Sequence, residues 1–214
     1  MQFRRILDLT HPLRDGGPAY PGDPAPRVRA HATLEADGYR LAELTLGSHA
    51  GTHVDAPSHY LAEGGTVDAL PLSALIGPAT AIDVPGEPGT LVGPEILSPH
   101  EAAFRPGARV LLRSGWDARY GREDYWHDYP GLSPAAARWI VERQIALVGF
   151  DAPGPSPQPE AVHRILLGAT PPVVIVESLA NLSALPREFT LIVLPLRLAG
   201  LDGAPARAVA VIEE

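Results

Sequence analysis

The chain has 214 residues, among them 24 Pro and 21 Gly, with 45% hydrophobic residues, 20% charged residues and a formal net charge of -8. This length and composition are typical of a globular protein with a sizeable core rather than of a disordered chain. The sequence contains neither cysteine nor lysine, which excludes disulfides, thiolate nucleophiles, iron–sulfur clusters, lysine Schiff bases and a P-loop of the GxxxxGK type.

The charge pattern and the hydropathy limit the partners. An acidic balance with scattered arginines argues against nucleic acid, which a clustered basic face would indicate. The stretch MQFRRILDLTHPLRDGG lacks an apolar run of signal-peptide length, and no segment approaches the roughly 20 apolar residues that span a bilayer. We therefore expect a cytoplasmic protein with no nucleic-acid partner and no membrane partner.

The predicted elements follow one another without repeats or linkers, which indicates one domain over residues 1–214. Apolar or alternating runs bounded by Gly or Pro predict strands over 40–47, 79–84, 108–114, 145–150, 172–178, 189–198 and 207–213. Helices are predicted at 132–144, with Ser133 as N-cap, and at 159–168, with shorter ones at 70–77 and 93–104. Because the strands outnumber the helices and do not alternate strictly with them, we predict an α/β domain with a mixed sheet rather than a doubly wound nucleotide-binding fold.

One segment, SHAGTHVDAPSHY (48–60), holds three of the eight histidines and an aspartate. Two imidazoles and a carboxylate are the ligand set of a catalytic divalent metal, because three protein ligands leave room for water. On an extended strand His49 and His53 would lie roughly 13 Å apart, and on a helix Asp55 would turn away from them. With Gly51 and a proline at its bends, the segment is predicted to be a bent loop around one ion; a histidine-rich surface loop is the alternative.

The same segment resembles the HxGTHxDxPxH motif of the metal-dependent cyclase and kynurenine formamidase superfamily, which includes isatin hydrolases. Every position of the motif is matched, by His49, Gly51, Thr52, His53, Asp55, Pro57 and His59. The resemblance extends over nearly the whole chain. AYPGDP (19–24) is similar to the family's substrate loop, and GFDAPGPSP (149–157) to its strand-to-loop segment. PLRLAGLDGAPARAV (195–209) is similar to its closing hairpin. It implies a swivelling β/β/α fold and a homodimer or larger homo-oligomer.

The resemblance also implies the metal ligands. His49, His53 and Asp55 would bind a first ion, and Asp55 would bridge to a second ion held by His163 and Glu177. From the residues alone, a carboxylate at the end of the apolar run before Glu177 is costly unless it is paired or metal-bound. A salt bridge to an arginine is the alternative for Glu177, and a core position is the alternative for His163. All five ligands are nitrogen or oxygen donors, consistent with one or two Zn²⁺ or Mn²⁺ ions.

His59 lies four positions beyond Asp55 and is predicted to transfer protons, because an imidazole with a pKa of about 6.5 suits acid–base catalysis at neutral pH. The alternative is that His59 binds the metal and Asp55 does not. A divalent ion would activate water and stabilise an oxyanion, and His59 would protonate the departing amine. We therefore predict hydrolysis of a C–N amide bond, with N-formylkynurenine as the expected substrate and formate and kynurenine as products.

Tyr20 and Trp116 are the predicted substrate-binding residues. The family places an aromatic residue where Tyr20 stands, and Trp116 could complete an aromatic pocket; ordinary loop or core positions are the alternatives. Isatin, cyclic imides and lactones are alternative substrates for the same chemistry. An Fe(II) oxygenase, whose facial triad has the same donor types, and a non-catalytic metal-binding protein are the alternative classes of protein. The local order of the two histidines before the aspartate argues against the first, and His59 argues against the second.

Overall fold

A computed structural model describes residues 5–213; residues 1–4 and 214, the ends of the predicted domain, lie outside the described part. The strands are β1 (Arg5–Asp8), β2 (Arg27–Ala32), β3 (Leu41–Thr45), β4 (His53–Asp55), β5 (Ile76–Asp83), β6 (Leu91–Val92), β7 (Arg109–Arg113), β8 (Gly131–Leu132), β9 (Leu147–Phe150), β10 (Val174–Glu177), β11 (Glu188–Pro195) and β12 (Gly203–Ile212). The α-helices are α1 (Leu34–Asp37), α2 (Leu72–Leu75), α3 (Pro94–Leu97), α4 (Pro134–Glu142) and α5 (Pro159–Leu167). No helix in residues 5–213 is long and apolar enough to cross a membrane.

The main sheet closes on itself. Its strands follow the order β12-β11-β5-β7-β9-β10-β4, and β4 pairs back onto β12, while β1 extends the sheet along the far part of β12. The four central strands β5, β7, β9 and β10 are parallel, and β11, β12 and β4 are antiparallel to their neighbours. The predicted α/β class with a mixed sheet is confirmed, in the form of a barrel-like sheet of seven strands.

Both faces of this sheet are buried along the central strands β7, β9 and β10. Leu111 of β7 and Val176 of β10 contribute to one core cluster. Val110, the neighbour of Leu111, contributes to a second cluster with Ile140 of α4 and Leu166 of α5. Since successive side chains of a strand point to opposite faces, a strand covered on both faces needs apolar residues at every position. The continuous apolar runs of the sequence are the consequence.

All seven predicted strands and both longer helices form, with shifted ends. Ser133 caps α4 as predicted, because its hydroxyl accepts a hydrogen bond from the Ala136 amide at 3.1 Å. The predicted helix over 70–77 is shortened to α2 because β5 already begins at Ile76, and the one over 93–104 divides into α3 and a 3-10 turn over 98–103. β12 already begins at Gly203, since its first residues pair with β4.

The prediction of a loop throughout the histidine-rich segment is wrong in its central part. Residues 53–55 form β4, which lies between β10 and β12 in the main sheet. A buried backbone needs partners for its amide and carbonyl groups, and the two flanking strands supply them. The bend is confined to the residues before it, where Gly51 has a φ of +63°. His53 and Asp55, two residues apart on a strand, therefore share one face of the sheet.

Candidate metal centre

The predicted ligands come from four parts of the fold that meet at one end of β4. His49 lies in the turn before β4, and His53 and Asp55 lie on β4 itself. Glu177 is the last residue of β10 and is paired with His53 in the antiparallel register. His163 projects from α5, the helix that connects β9 to β10. The chain thus brings together five side chains of which only three are close in sequence.

Asp55 lies at the centre of the group. Its Oδ1 is 2.9 Å from His49 Nδ1 and 3.3 Å from His53 Nε2, and its Oδ2 is 3.4 Å from His163 Nε2. Glu177 closes the other side, with Oε2 at 3.3 Å from His53 Nε2 and Oε1 at 3.1 Å from His163 Nε2. A carboxylate that contacts three imidazoles offers oxygen donors at the point where the nitrogen donors converge.

The hydrogen bonds of two histidines test whether a cation fits. His53 Nδ1 lies 2.8 Å from the Gly51 carbonyl and His163 Nδ1 lies 2.7 Å from the Pro159 carbonyl. Carbonyl oxygens only accept, so each Nδ1 donates, and in the neutral form of each ring the lone pair of Nε2 is directed towards the carboxylates. His53 Nε2 and Asp55 Oδ2 are buried without a hydrogen-bond partner. Buried acceptors that face acceptors need positive charge between them, and this set of nitrogen and oxygen donors fits Zn²⁺ or Mn²⁺.

The pKa values of the group show the same preference for positive charge. Burial alone would raise the pKa of Asp55, but the neighbouring imidazoles of His163, His49 and His53 hold it well below its ordinary value. Burial alone would lower the pKa of His163, but Asp55 and Glu177 raise it to about 10, and the same two carboxylates raise the pKa of His53. The cluster therefore holds protons tightly in the absence of a cation, and a divalent ion would release them on binding.

The arginine partner considered for Glu177 is not found among residues 5–213, where its ion pairs are with His53 and His163. His163 is buried, as a core residue would be, but its Nε2 faces Asp55 and Glu177 rather than apolar side chains. A backbone carbonyl orients its other nitrogen, which is the arrangement typical of metal-binding histidines.

His59 ends a 3-10 turn over 57–59 and lies beside the ligands, with its ring 4.0 Å from that of His49. Burial, together with the charges of His49 and His163, lowers the pKa of His59 below its ordinary value. Donor atoms of His49, Asp55 and His59 also lie within 4.8 Å of one another, as do those of His53, Asp55 and Glu177. The alternative of His59 as a ligand therefore stays open on geometry.

Asp202 is a site residue that the sequence reasoning missed. Its Oδ2 lies 2.9 Å from His49 Nε2 and 3.4 Å from His59 Nδ1. It stands in an Asp-Gly pair just before β12, a pattern that indicates only a turn. Gly203, the next residue, leaves space for His49, because a Cβ atom there would lie 2.8 Å from His49 Cε1.

A cavity of about 540 Å³ opens over the centre. Tyr20 lines it and makes an edge-to-face contact with Trp126, with ring centroids 5.9 Å apart. Tyr60 and Tyr129 also line the wall. Trp116 does not, which corrects its predicted place: it is 2% exposed in an aromatic cluster behind the cavity, where its indole N–H donates to the Tyr125 carbonyl.

The sequence does not indicate that Trp126 lines the cavity, and only the tertiary structure shows it. Trp116 and Trp126 both lie in Gly- and Asp-rich loops after β7, and the sequence gives no reason to prefer one for the cavity. The choice depends on the short 3-10 turns over 116–119 and 123–126, which turn Trp116 inwards and Trp126 towards Tyr20.

Comparisons with known proteins agree with this geometry. The sequence model of the cyclase family matches residues 7–157. The kynurenine formamidase of Bordetella petrii is 31% identical to this chain over 97% of its length and 98% of the relative. The solved structure of isatin hydrolase A from Labrenzia aggregata, bound to benzyl benzoate, is 30% identical, with a TM-score of 0.88 over 98% of this chain and 94% of that one. An isatin hydrolase bound to the product analogue thioisatinate has a TM-score of 0.86 at 26% identity, over 98% and 92%. A convergent set of imidazoles and carboxylates on this fold, together with these relatives, establishes that the chain belongs to the cyclase family and is a metal-dependent amidohydrolase.

Proposed function

We propose that this enzyme hydrolyses the C–N bond of aryl formamides, with N-formylkynurenine as the expected substrate and formate and kynurenine as products. The observation that carries the proposal is the pair of buried, unpartnered acceptors, His53 Nε2 and Asp55 Oδ2, at the floor of an aromatic-walled cavity. In this proposal the first ion is held by His49, His53 and Asp55. A second ion would be held by His163 and Glu177 together with Asp55. Zn²⁺ or Mn²⁺ is the proposed metal.

A bound divalent cation supplies an activated water and polarises the substrate carbonyl. The chain's own residues then have two tasks, to hold the aryl group and to move one proton. Tyr20 and Trp126 present aromatic surface in the cavity wall, and an aryl ring can stack or make edge contacts there. Burial of the ring places the amide carbon at the floor of the cavity.

His59 is the proposed proton carrier. A hydrogen on its Nδ1 would be directed towards Asp202 Oδ2, 3.4 Å away, which leaves Nε2 for exchange with the substrate. Nε2 takes the proton from the attacking water and delivers it to the amide nitrogen as the C–N bond breaks. One water is consumed, its oxygen enters the carboxylic acid product, and the amine leaves neutral.

Asp202 is a positioning residue in this scheme, and Asp202→Asn tests it. We expect kcat to fall about 10- to 100-fold, the usual cost of losing such an outer partner, with a much smaller change in KM. Because Asp202 also contacts His49, the affinity for Zn²⁺, measured by titration calorimetry on the metal-free protein, should weaken as well. Asp202→Glu should recover part of both properties. Unchanged kcat and unchanged affinity in Asp202→Asn would remove Asp202 from the scheme.

Hydrolysis of a cyclic amide or ester is the second candidate. The solved isatin hydrolases, with TM-scores of 0.88 and 0.86, favour it, because ring opening of isatin needs the same attack on a carbonyl beside an aryl nitrogen. The reported relatives are hydrolases, so an Fe(II) oxygenase and a non-catalytic metal-binding protein are not retained.

One experiment separates the two candidates. The protein is stripped with a chelator, reloaded with Zn²⁺ or Mn²⁺ and analysed for bound metal. The loaded enzyme is then assayed with N-formylkynurenine, isatin, a cyclic imide and an aryl lactone. Faster release of formate from N-formylkynurenine supports the first candidate, and faster opening of isatin supports the second. Bound metal without turnover of any substrate would contradict both.

The proposal extends to the assembly, a homodimer or larger homo-oligomer. β2 and β3 form a two-stranded sheet apart from the main sheet, and Val28 and Leu44, which are paired across it on one face, are 41% and 60% exposed. Such a ribbon is marginally stable alone, and clustered apolar exposure marks an interaction surface. Light scattering should give at least twice the chain mass, and Leu44→Ser should shift it towards the monomer. A monomeric wild-type protein would contradict this.

We also propose that residues 1–214 form a single domain and that the protein is cytoplasmic. Limited proteolysis that leaves no stable fragment, and fractionation of cells that carry the tagged protein, would test these two points.

A further inference from the structure

Apart from the histidines, the charged side chains around the cavity carry one sign. Asp23, Glu177 and Asp202 line it, and Asp55 contacts the lining residues His53 and His163. No arginine in residues 5–213 lines the cavity, and the sequence has no lysine. The cavity therefore contains no side chain of permanent positive charge.

Three arginines that lie close in sequence or space to wall residues have partners of their own. Arg164 donates to the Tyr60 carbonyl at 2.9 Å and to Glu160 Oε1 at 3.1 Å. Arg119 and Arg122 both donate to Asp124, at 2.9 and 2.8 Å. None of them is free to turn into the cavity without breaking an ion pair.

Bound metal does not reverse this balance. The four carboxylates contribute a formal charge of -4, so two divalent ions would bring the total to 0 and one ion would leave it at -2. The ions would lie at the floor, among the histidines, where the reacting carbonyl binds. A carboxylate elsewhere on a substrate would lose part of its hydration and find no fixed cation, the partner that buried carboxylates need.

The rim instead offers a place for a cation. Asp23 is exposed there, and its amide donates to the Tyr20 carbonyl at 2.9 Å, so that one turn presents both the carboxylate and the phenol ring. Trp126 stands against Tyr20. A carboxylate beside two aromatic faces suits an ammonium group, through an ion pair and cation–π contacts.

We infer that the cavity selects aryl amides that are neutral or carry an amine, and that a free carboxylate on the substrate side chain reduces its reactivity. The inference rests on the proposed function, because it ranks substrates of that same site. It follows that the ammonium group of N-formylkynurenine is recognised and its α-carboxylate is not.

Four formamides that share the ring of N-formylkynurenine test this. They are N-formylkynurenine itself, its analogue without the carboxylate (3-amino-1-(2-formamidophenyl)propan-1-one), its analogue without the amine (4-(2-formamidophenyl)-4-oxobutanoate) and the neutral 1-(2-formamidophenyl)propan-1-one. With the metal-loaded enzyme, the amine-only compound should have the highest kcat/KM and the carboxylate-only compound the lowest. We expect about a three- to fivefold effect for each charge at this exposed rim, with the spread reduced at high salt.

Variants of Asp23 locate the effect. Asp23→Asn should remove the advantage of the amine-only compound over the neutral one, and Asp23→Arg should make the carboxylate-only compound a better substrate than the amine-only one. Glu63→Gln, which makes the same change of charge at an exposed position outside the cavity lining, is the control and should keep the wild-type order.

The outcomes are distinguishable. Equal kcat/KM for all four compounds, or a preference for those with a carboxylate, would overturn the inference and leave the formamidase proposal standing. Loss of selectivity in Glu63→Gln equal to that in Asp23→Asn would overturn the role of the rim. Failure to hydrolyse any of the four, the neutral one included, would overturn both the inference and the proposed function.

Discussion

His59→Ala is expected to keep the wild-type metal content and to lower kcat about 10²- to 10⁴-fold, the range that loss of a general acid–base group typically costs. The reason is the leaving group, since an amine anion is too basic to depart and His59 is positioned to protonate it. The ring lies beside His49 and within reach of Asp202, but it need not bind the ion for this task. Metal analysis and steady-state kinetics on the same preparation measure the two effects together.

The control for this variant is His100→Ala, which removes a histidine from the 3-10 turn over 98–103, outside the cavity. It should change neither metal content nor kcat. If His59→Ala loses metal in proportion to activity, His59 is a ligand, as the grouping of its donor atom with those of His49 and Asp55 allows. Full activity with full metal content would remove His59 from the mechanism altogether.

Asp55→Ala is expected to have the largest effect on metal binding, because Asp55 contacts His49, His53 and His163 at once. Without it, three imidazoles would face each other with Glu177 as the single remaining carboxylate among the five proposed ligands. Affinity should fall by more than the roughly 10- to 100-fold that loss of an outer partner costs, and activity should fall with it. Titration of the metal-free variant with Zn²⁺, followed by assay at saturating metal, separates the two.

Asp151→Asn is the matched control, since Asp151 is also a buried aspartate but accepts its hydrogen bonds from Ser114 and Gly115, away from the centre. Burial raises the pKa of Asp151 to about 6, so its neutral amide analogue should be tolerated and should keep wild-type metal content. Normal stoichiometry and affinity in Asp55→Ala would contradict the ligand role of Asp55. Thermal melts of both variants check that each is folded.

The solved isatin hydrolases and the curated kynurenine formamidases match this chain almost equally well in coverage. The common feature is a reacting carbonyl bonded to an aryl nitrogen. The difference between an open formamide and a closed ring must therefore be decided by the shape and charge of the cavity wall, where Tyr20, Trp126 and Asp23 lie. These positions are the ones to exchange in experiments that aim to change substrate.

The motif residues and the class of the fold could be predicted from the sequence because both depend on short-range patterns. Apolar runs bounded by Gly and Pro indicated the strands, and the spacing of His49, His53 and Asp55 indicated a shared ion. A resemblance added His163 and Glu177, for which local patterns offered only costly or ordinary alternatives. The structure brings these two residues to the others because β10 pairs with β4 and α5 packs beside β10.

Two features were decided by the tertiary structure alone. They are the contacts between distant segments and the direction in which a loop side chain points. Asp202 stands 153 positions from His49, and nothing in its own neighbourhood distinguishes it from an ordinary turn residue. Trp126 replaces Trp116 in the cavity for the same reason. That 53–55 is a strand depends on hydrogen bonds from β10 and β12, so no local pattern could show it. Local spacing determines which groups a segment can offer, whereas the pairing of distant strands determines which of them meet.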